Sequence, residues 1–132
     1  MSETENKVLI QHLFAEAGKG NMQPFLDAVS DDIEWTIIGS TKFSKTYRGK
    51  LMLINELLGA LMAQLAGPLT LTAQRIIADG DYVAVEARGE ATTKAGIPYQ
   101  NTYCMVFRLE GQRIRQGMEY LDTELVTRAF GR

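Results

Sequence analysis

The sequence is short of most residues that would announce a specialised chemistry. It has one cysteine, Cys104, so no disulfide can close within the chain. Cys104 sits in an apolar stretch where a small buried thiol is the ordinary occupant, which fits a reducing compartment, and the expected location is the cytoplasm. It also has one histidine, His12. On a helix His12 lies about 200° round from Ile10, away from Leu13, Phe14 and Ala17, so histidine catalysis and a multi-histidine metal site are both disfavoured. No apolar run approaches the roughly 20 residues needed to span a bilayer, and the opening MSETENK lacks the basic and apolar parts of a signal peptide. An excess of charge is lacking too. The 14 Lys and Arg against 16 Asp and Glu give a net charge of −2, spread along the chain, which leaves no footprint for nucleic acid or an anionic membrane. Repeats and low-complexity segments are absent.

What is present suits one soluble globular domain over residues 1–132. With 45% hydrophobic and 23% charged residues, the chain is ordinary in composition and long enough to bury a core without staples. Ser2 with Glu5 forms a capping box ahead of Val8, Ile10, Leu13, Phe14 and Ala17, predicting a helix from about Glu3 to Ala17. Gly18 and Gly20 stop it. Asn21 can cap a short second helix with Pro24 in its first turn and Phe25, Leu26 and Val29 on its apolar face. Ser30-Asp31-Asp32 then breaks the helix, a strand covers Ile33–Ile38, and a polar loop runs from Gly39 to Thr46.

The strongest helical signal starts at Gly49, with a stripe of Leu51, Ile54, Leu58, Leu61, Met62 and Leu65 that predicts a mostly buried helix ending at Gly67-Pro68. From Leu69 the period shortens to that of strands. One hairpin is expected over Leu69–Ala78 and Tyr82–Thr93 around Asp79-Gly80-Asp81, and a second over Tyr99–Thr123 around Glu110-Gly111-Gln112. Glu124–Phe130 is a short tail. The order reads as an α+β fold with helices on one side of a curved sheet.

The second hairpin carries the candidate chemistry. Glu119 stands among Met118, Tyr120 and Leu121, and an acid in an apolar setting invites a functional reading, although a surface acid paired with Arg113 or Arg115 would look the same. Asp122, just before Thr123, suits capping better than chemistry. Tyr99, Asn101, Tyr103 and Met105 share one strand face, a mix that suits a pocket for a flat organic ligand. The opposite face, Gln100, Thr102, Cys104 and Val106, suits packing against a second sheet, and strand parity alone does not say which is which. Arg88 and Glu90 share a face with Glu86, a pattern more often seen on a solvated sheet.

The Gly20-Asn21 start of helix two, Asp31-Asp32 before Trp35, Tyr47-Arg48-Gly49-Lys50 before the long helix, and Glu119-Tyr120-Leu121-Asp122-Thr123 after the Gly111 turn together resemble the SnoaL-like, ketosteroid-isomerase-like branch of the nuclear transport factor 2 superfamily. The resemblance implies a cone of helices on a curved antiparallel sheet around a mostly apolar pocket, commonly in a homodimer packed through the sheet. It implies no single activity, because the superfamily includes steroid isomerases, polyketide cyclases, epoxide hydrolases, dehydratases and binding modules. The isomerase pattern's tyrosine and two acids fall on Leu13, Ile37 and Met105, which argues against classical ketosteroid isomerisation. The epoxide-hydrolase pattern maps its arginine and acids onto Arg88, Glu90 and Glu119, with its water-holding positions at Trp35 and Ile37. The cyclase pattern places its base at Glu119.

Two functions follow as expectations. The first is a cofactor-independent, metal-free acid/base enzyme in which Glu119 is the base, with Arg88 or a tyrosine stabilising an oxyanion and Glu90 nearby. Trp35, Tyr47, Tyr99, Asn101, Tyr103, Met105 and Leu121 are then the expected contacts to a hydrophobic aromatic or polycyclic ligand. The second is a non-catalytic ligand-binding or dimeric scaffold module. The surroundings of Glu119 separate them: a carboxylate enclosed by apolar walls titrates well above a solvated one.

Overall fold

A computed structural model describes residues 2–132. Helix α1 (Glu3–Ala17) begins where the capping box places it, with the Ser2 hydroxyl accepting from the Glu5 backbone N–H at 3.1 Å. Its inward stripe of Ile10, Leu13, Phe14 and Ala17 is buried, whereas His12 is exposed. Helix α2 (Gln23–Ala28) carries Pro24 in its first turn, where a missing N–H costs no hydrogen bond, and buries Phe25.

Strand β1 (Val29–Ile37) starts earlier than the residues suggest. Ser30-Asp31-Asp32 does not break the chain; it lies within the strand, where the pairing register shifts between Val29 and Glu34. Such an irregularity lets Asp31 and Asp32 both face solvent in succession, which a regular strand forbids. Arg115 then holds Asp32 through two contacts at 2.5 and 2.6 Å. The expected loop ends in a three-residue edge strand, β2 (Thr46–Arg48), paired with β1 through Trp35 and Tyr47.

Helix α3 is one rod in three parts: an α-helical turn Lys50–Met52, a π-helical stretch Leu53–Leu58 and an α-helical turn Gly59–Met62. The Gly59 N–H reaches back five residues to the Ile54 carbonyl, so the helix is locally under-wound. That changes which side faces inward. Leu53 and Leu57 are buried, while Leu51 is 76% and Met62 40% exposed, so the sequence-derived stripe and the expectation of a mostly buried helix are both corrected.

Four long strands follow: β3 (Thr70–Asp79), β4 (Tyr82–Thr92), β5 (Pro98–Glu110) and β6 (Arg113–Leu121). The β5–β6 reversal has positive φ at both Gly111 (57°) and Gln112 (62°), the two-residue turn that matches strand twist. The six strands lie in the order β2-β1-β6-β5-β4-β3, antiparallel except where β1 runs parallel to β6. Tyr99, Asn101, Tyr103, Met105, Phe107 and Leu109 alternate inward on β5 and are buried. The expected tail is a helix, α4 (Thr123–Phe130), N-capped by Asp122, whose carboxylate accepts from the backbone N–H groups of Glu124 (3.0 Å) and Leu125 (3.3 Å). Its Val126 and Phe130, four residues apart, pack inward. Among the described residues no helix is long and apolar enough to cross a membrane.

Candidate functional site

The sheet curves around a cavity of about 90 Å³ between its inner face and the helices. Strands β1, β5 and β6 supply Trp35, Ile37, Tyr99, Tyr103, Met105, Glu119 and Leu121; α3 supplies Leu53, Leu57, Leu58 and Leu61. Phe25 of α2 closes one side, and Phe43, Val126 and Phe130 another. Edge-to-face aromatic contacts stiffen both ends: Phe25 lies 5.9 Å from Trp35 and 5.6 Å from Phe107, and Phe130 lies 5.0 Å from Tyr99 and 5.4 Å from Phe43. No Lys, Arg or His borders the cavity.

Glu119 is the one acid on this wall. As a residue it is half-buried, because it borders the cavity. Removal from water disfavours the charged form, and burial pushes its carboxyl from the ordinary 4.5 up to about 7. The Trp35 indole N–H beside it works in the opposite direction. The indole N–H is near enough to act on the carboxyl as a donor, but the geometry falls short of a hydrogen bond, and Trp35 Nε1 is buried without a partner.

Opposite the apolar roof stands a chain of hydrogen bonds. One Asn101 amide hydrogen goes to Tyr99 Oη (2.9 Å) and the other to the Asp122 carbonyl (3.0 Å), while the Asp122 N–H returns to Asn101 Oδ1 (3.1 Å). Asn101 is thereby satisfied and ties the end of β6 to β5. Tyr99 Oη and Tyr103 Oη are 2.6 Å apart. Two hydroxyls sharing one bond leave one hydrogen over, whichever oxygen donates, so the pair has a donor to offer a third group. Burial raises the pKa of both tyrosines, and the Glu119 charge adds to this, so they are neutral donors at physiological pH.

The structure thus brings Trp35, Tyr99, Tyr103, Met105, Leu121 and Glu119 to one cavity and leaves four expected site residues out of it. Arg88 and Glu90 are corrected: on β4 their neighbours Ala87 and Gly89 point inward, and the two charges lie on the outer face, 3.5 Å apart, with Arg88 also donating to Gln100 at 3.1 Å. Arg88→Gln and Glu90→Gln should each change stability by less than about 0.5 kcal/mol, with no change in ligand uptake by calorimetry. Tyr47 is also corrected, since its hydroxyl donates to the Phe43 carbonyl at 2.7 Å and it fixes the β1–β2 loop from behind the wall. Asn101 acts one layer back, by holding Tyr99. Sequence reading missed Phe43, Val126 and Phe130. Asp122-Thr123-Glu124 as a cap, with apolar residues at helical spacing after it, was the available signal for the last two. Among the described residues no three His, Cys, Asp or Glu side chains converge as metal ligands.

The family model of the SnoaL-like domain matches residues 10–117. No curated protein matches the chain. Among solved structures, an NTF2-like protein of unknown function from Burkholderia pseudomallei superposes with a TM-score of 0.82 at 18% identity, covering 100% of both chains. An NTF2-like protein from Burkholderia xenovorans gives 0.73 at 24% identity over 98% of each chain. TerC, co-crystallised with polyporic acid, gives 0.79 at 20% identity over 94% of this chain and 96% of its own. At these identities the likeness speaks for the fold, while the family match extends over most of the chain: the protein belongs to the SnoaL-like family and has the NTF2-like fold.

Proposed function

We propose that the protein is a cofactor-independent acid/base enzyme for a small, largely apolar carbonyl compound, with Glu119 as general base. One observation carries this: a carboxyl group whose pKa burial raises to about 7, on the wall of a cavity with no basic side chain to pair it. A base titrating near working pH combines a useful charged fraction with a strong pull on a proton. In the simplest cycle the Glu119 carboxylate takes a proton from a carbon next to a carbonyl. The carbonyl oxygen meanwhile accepts the spare hydroxyl hydrogen of the Tyr99–Tyr103 pair. The proton then returns to another atom of the same molecule, so nothing is consumed.

Cavity size narrows the ligand. At about 90 Å³ the cavity is smaller than the roughly 150 Å³ apolar cavity that holds a benzene ring, so a single small ring is the upper limit and a polycycle does not fit. TerC, with its polyporic acid, is a precedent for this fold taking up a small organic molecule. The test is deuterium exchange, followed by NMR, into a panel of monocyclic enolisable ketones in heavy water. Wild-type protein should accelerate exchange for at least one that binds, and Glu119→Gln should slow that by about 10²–10⁴-fold with binding retained. Tight binding with no exchange in any member would favour the non-catalytic binding module.

The protein is further proposed to work as a cytoplasmic homodimer. Ile77, Ala84, Val106 and Met118 pair successively across β3, β4, β5 and β6, an apolar row on the face away from the helices. Ile77 (54%) and, beside the row, Tyr120 (43%) are exposed. A second copy would cover the row. Sedimentation should give twice the chain mass at micromolar concentration and the chain mass for Val106→Glu; a monomeric wild type would end this reading.

A further inference from the structure

We propose that Trp35 is the positioning residue of Glu119: its indole N–H is held in reserve, unpaired while the acid is neutral, and closes a hydrogen bond to the carboxylate when Glu119 carries charge. This rests on Glu119 being the working base. Trp35 and Glu119 sit on adjacent parallel strands. Trp35 stands opposite Gly117 and Glu119 opposite Ile37, which makes the two side chains diagonal neighbours on the inner face, within reach for a residue as long as tryptophan. Both border the cavity.

Trp35 Nε1 is fully buried and makes no hydrogen bond, and Trp35 as a whole is only 6% exposed. A buried N–H left unsatisfied is costly and uncommon, and such a group calls for a use. Phe25 and Phe107 pack on the ring (5.9 and 5.8 Å), so the indole cannot turn aside to find another partner. Gly117 sets how deep the indole sits. A Cβ there would come within 2.5 Å of Trp35 Cε3, so the ring lies directly on the glycine backbone.

The other titratable groups near the carboxyl are Tyr47 of β2 and Tyr99 and Tyr103 of β5, each of which feels the Glu119 charge. None carries a positive charge. With no cation on the cavity wall, an N–H that bonds only the charged form is a means of keeping the carboxylate accessible near neutrality without pairing it so firmly that it ceases to be a base. The arrangement also divides the donors: Trp35 serves the base, and the tyrosine pair is left for the substrate oxygen.

Trp35 is the only tryptophan, so the wild-type protein reports on itself. With uniform ¹⁵N labelling, its single indole N–H signal should move downfield as pH rises through about 7, and the fluorescence should titrate with the same midpoint. Both should be flat over that range in Glu119→Gln. With a ¹³C label on glutamate carboxyls, Trp35→Phe should raise the Glu119 midpoint, a loss of about tenfold or less in carboxylate stability. An indole signal that does not move between pH 5 and 9, or that moves equally in Glu119→Gln, overturns the proposal, and neither result depends on whether Trp35→Phe folds. If the indole follows Glu119 while no ketone exchanges, the charge-dependent hydrogen bond is real but the enzyme reading fails, and Trp35 loses its role as the positioning residue of a base. If exchange depends on Glu119 while the indole stays silent, the enzyme reading stands and this one fails.

Discussion

Glu119→Gln should make the ligand-free protein more stable, and only above about pH 5. Folding moves the Glu119 pKa upward, from 4.5 to about 7. An acid raised in this way costs nothing below its unfolded value, because it is neutral in both states. Its cost grows as pH climbs from 4.5 and is complete once pH has passed the folded value near 7. A shift of that size is worth about 3 kcal/mol at full ionisation. Glutamine, neutral at every pH, escapes the cost. In calorimetric melts the pH-dependent part of the difference between variant and wild type should therefore be under about 1 kcal/mol at pH 5 and reach its plateau by about pH 8.5, at roughly 3–5 °C per kcal/mol for a chain of this length. A difference that is constant with pH would mean that Glu119 titrates as a solvated acid. The same substitution that stabilises the fold should slow proton exchange by about 10²–10⁴-fold, which is the trade expected when a site keeps an ill-solvated group for its chemistry.

The residues made the outline of this fold readable, and the failures have physical reasons. Ser2 with Glu5, the Gly111 turn and the alternation along β5 are local signals, and the structure follows each. The parallel β1–β6 pairing is not local, since it joins residues about 80 positions apart through contacts that no short-range pattern encodes. Edge strand β2 has three residues, too few for a period to show. Helix α3 misled because its π-helical stretch rotates later residues relative to earlier ones, and a wheel drawn at 100° per residue then assigns Leu51 and Met62 to a core they do not enter.

Within the site, the chemistry of Glu119 was legible because acids seldom stand in apolar strands. Arg88 and Glu90 were separated from it only by strand parity. Val83, Val85, Ala87 and Gly89 alternate against Glu86, Arg88 and Glu90, and once the former set faces inward the charges cannot. Two other features were out of reach. The orphaned Trp35 Nε1 and the leftover hydroxyl hydrogen of the tyrosine pair are facts of geometry, visible only when partners can be counted atom by atom.

Two glycines decide whether that geometry exists, and replacing them should show it. Gly117 lies under the Trp35 indole, and Gly89 under Tyr103, where an added Cβ would come within 2.6 Å of Cε1 and 3.2 Å of Leu71 Cδ2. Neither has a positive φ, so the obstacle is space and not backbone strain. An alanine at either position must push a ring towards the cavity and out of its packing, against Phe25 and Phe107 for the indole and against the bond to the Tyr99 hydroxyl for Tyr103. Overpacking of this kind costs about 1–3 kcal/mol, and both variants should melt well below wild type. Gly67, which has nothing within 4 Å of a built Cβ, is the control; Gly67→Ala should leave the melting temperature nearly unchanged. The two damaging variants should then differ in kind. Gly117→Ala should displace the indole and move the Glu119 titration midpoint while leaving the tyrosine pair bonded. Gly89→Ala should part Tyr103 from Tyr99 and weaken retention of a ketone oxygen, with the Glu119 midpoint little changed. If both variants shift the same midpoint by the same amount, the wall responds as one packed unit, and the separate roles assigned to the indole and the tyrosine pair would have to be given up.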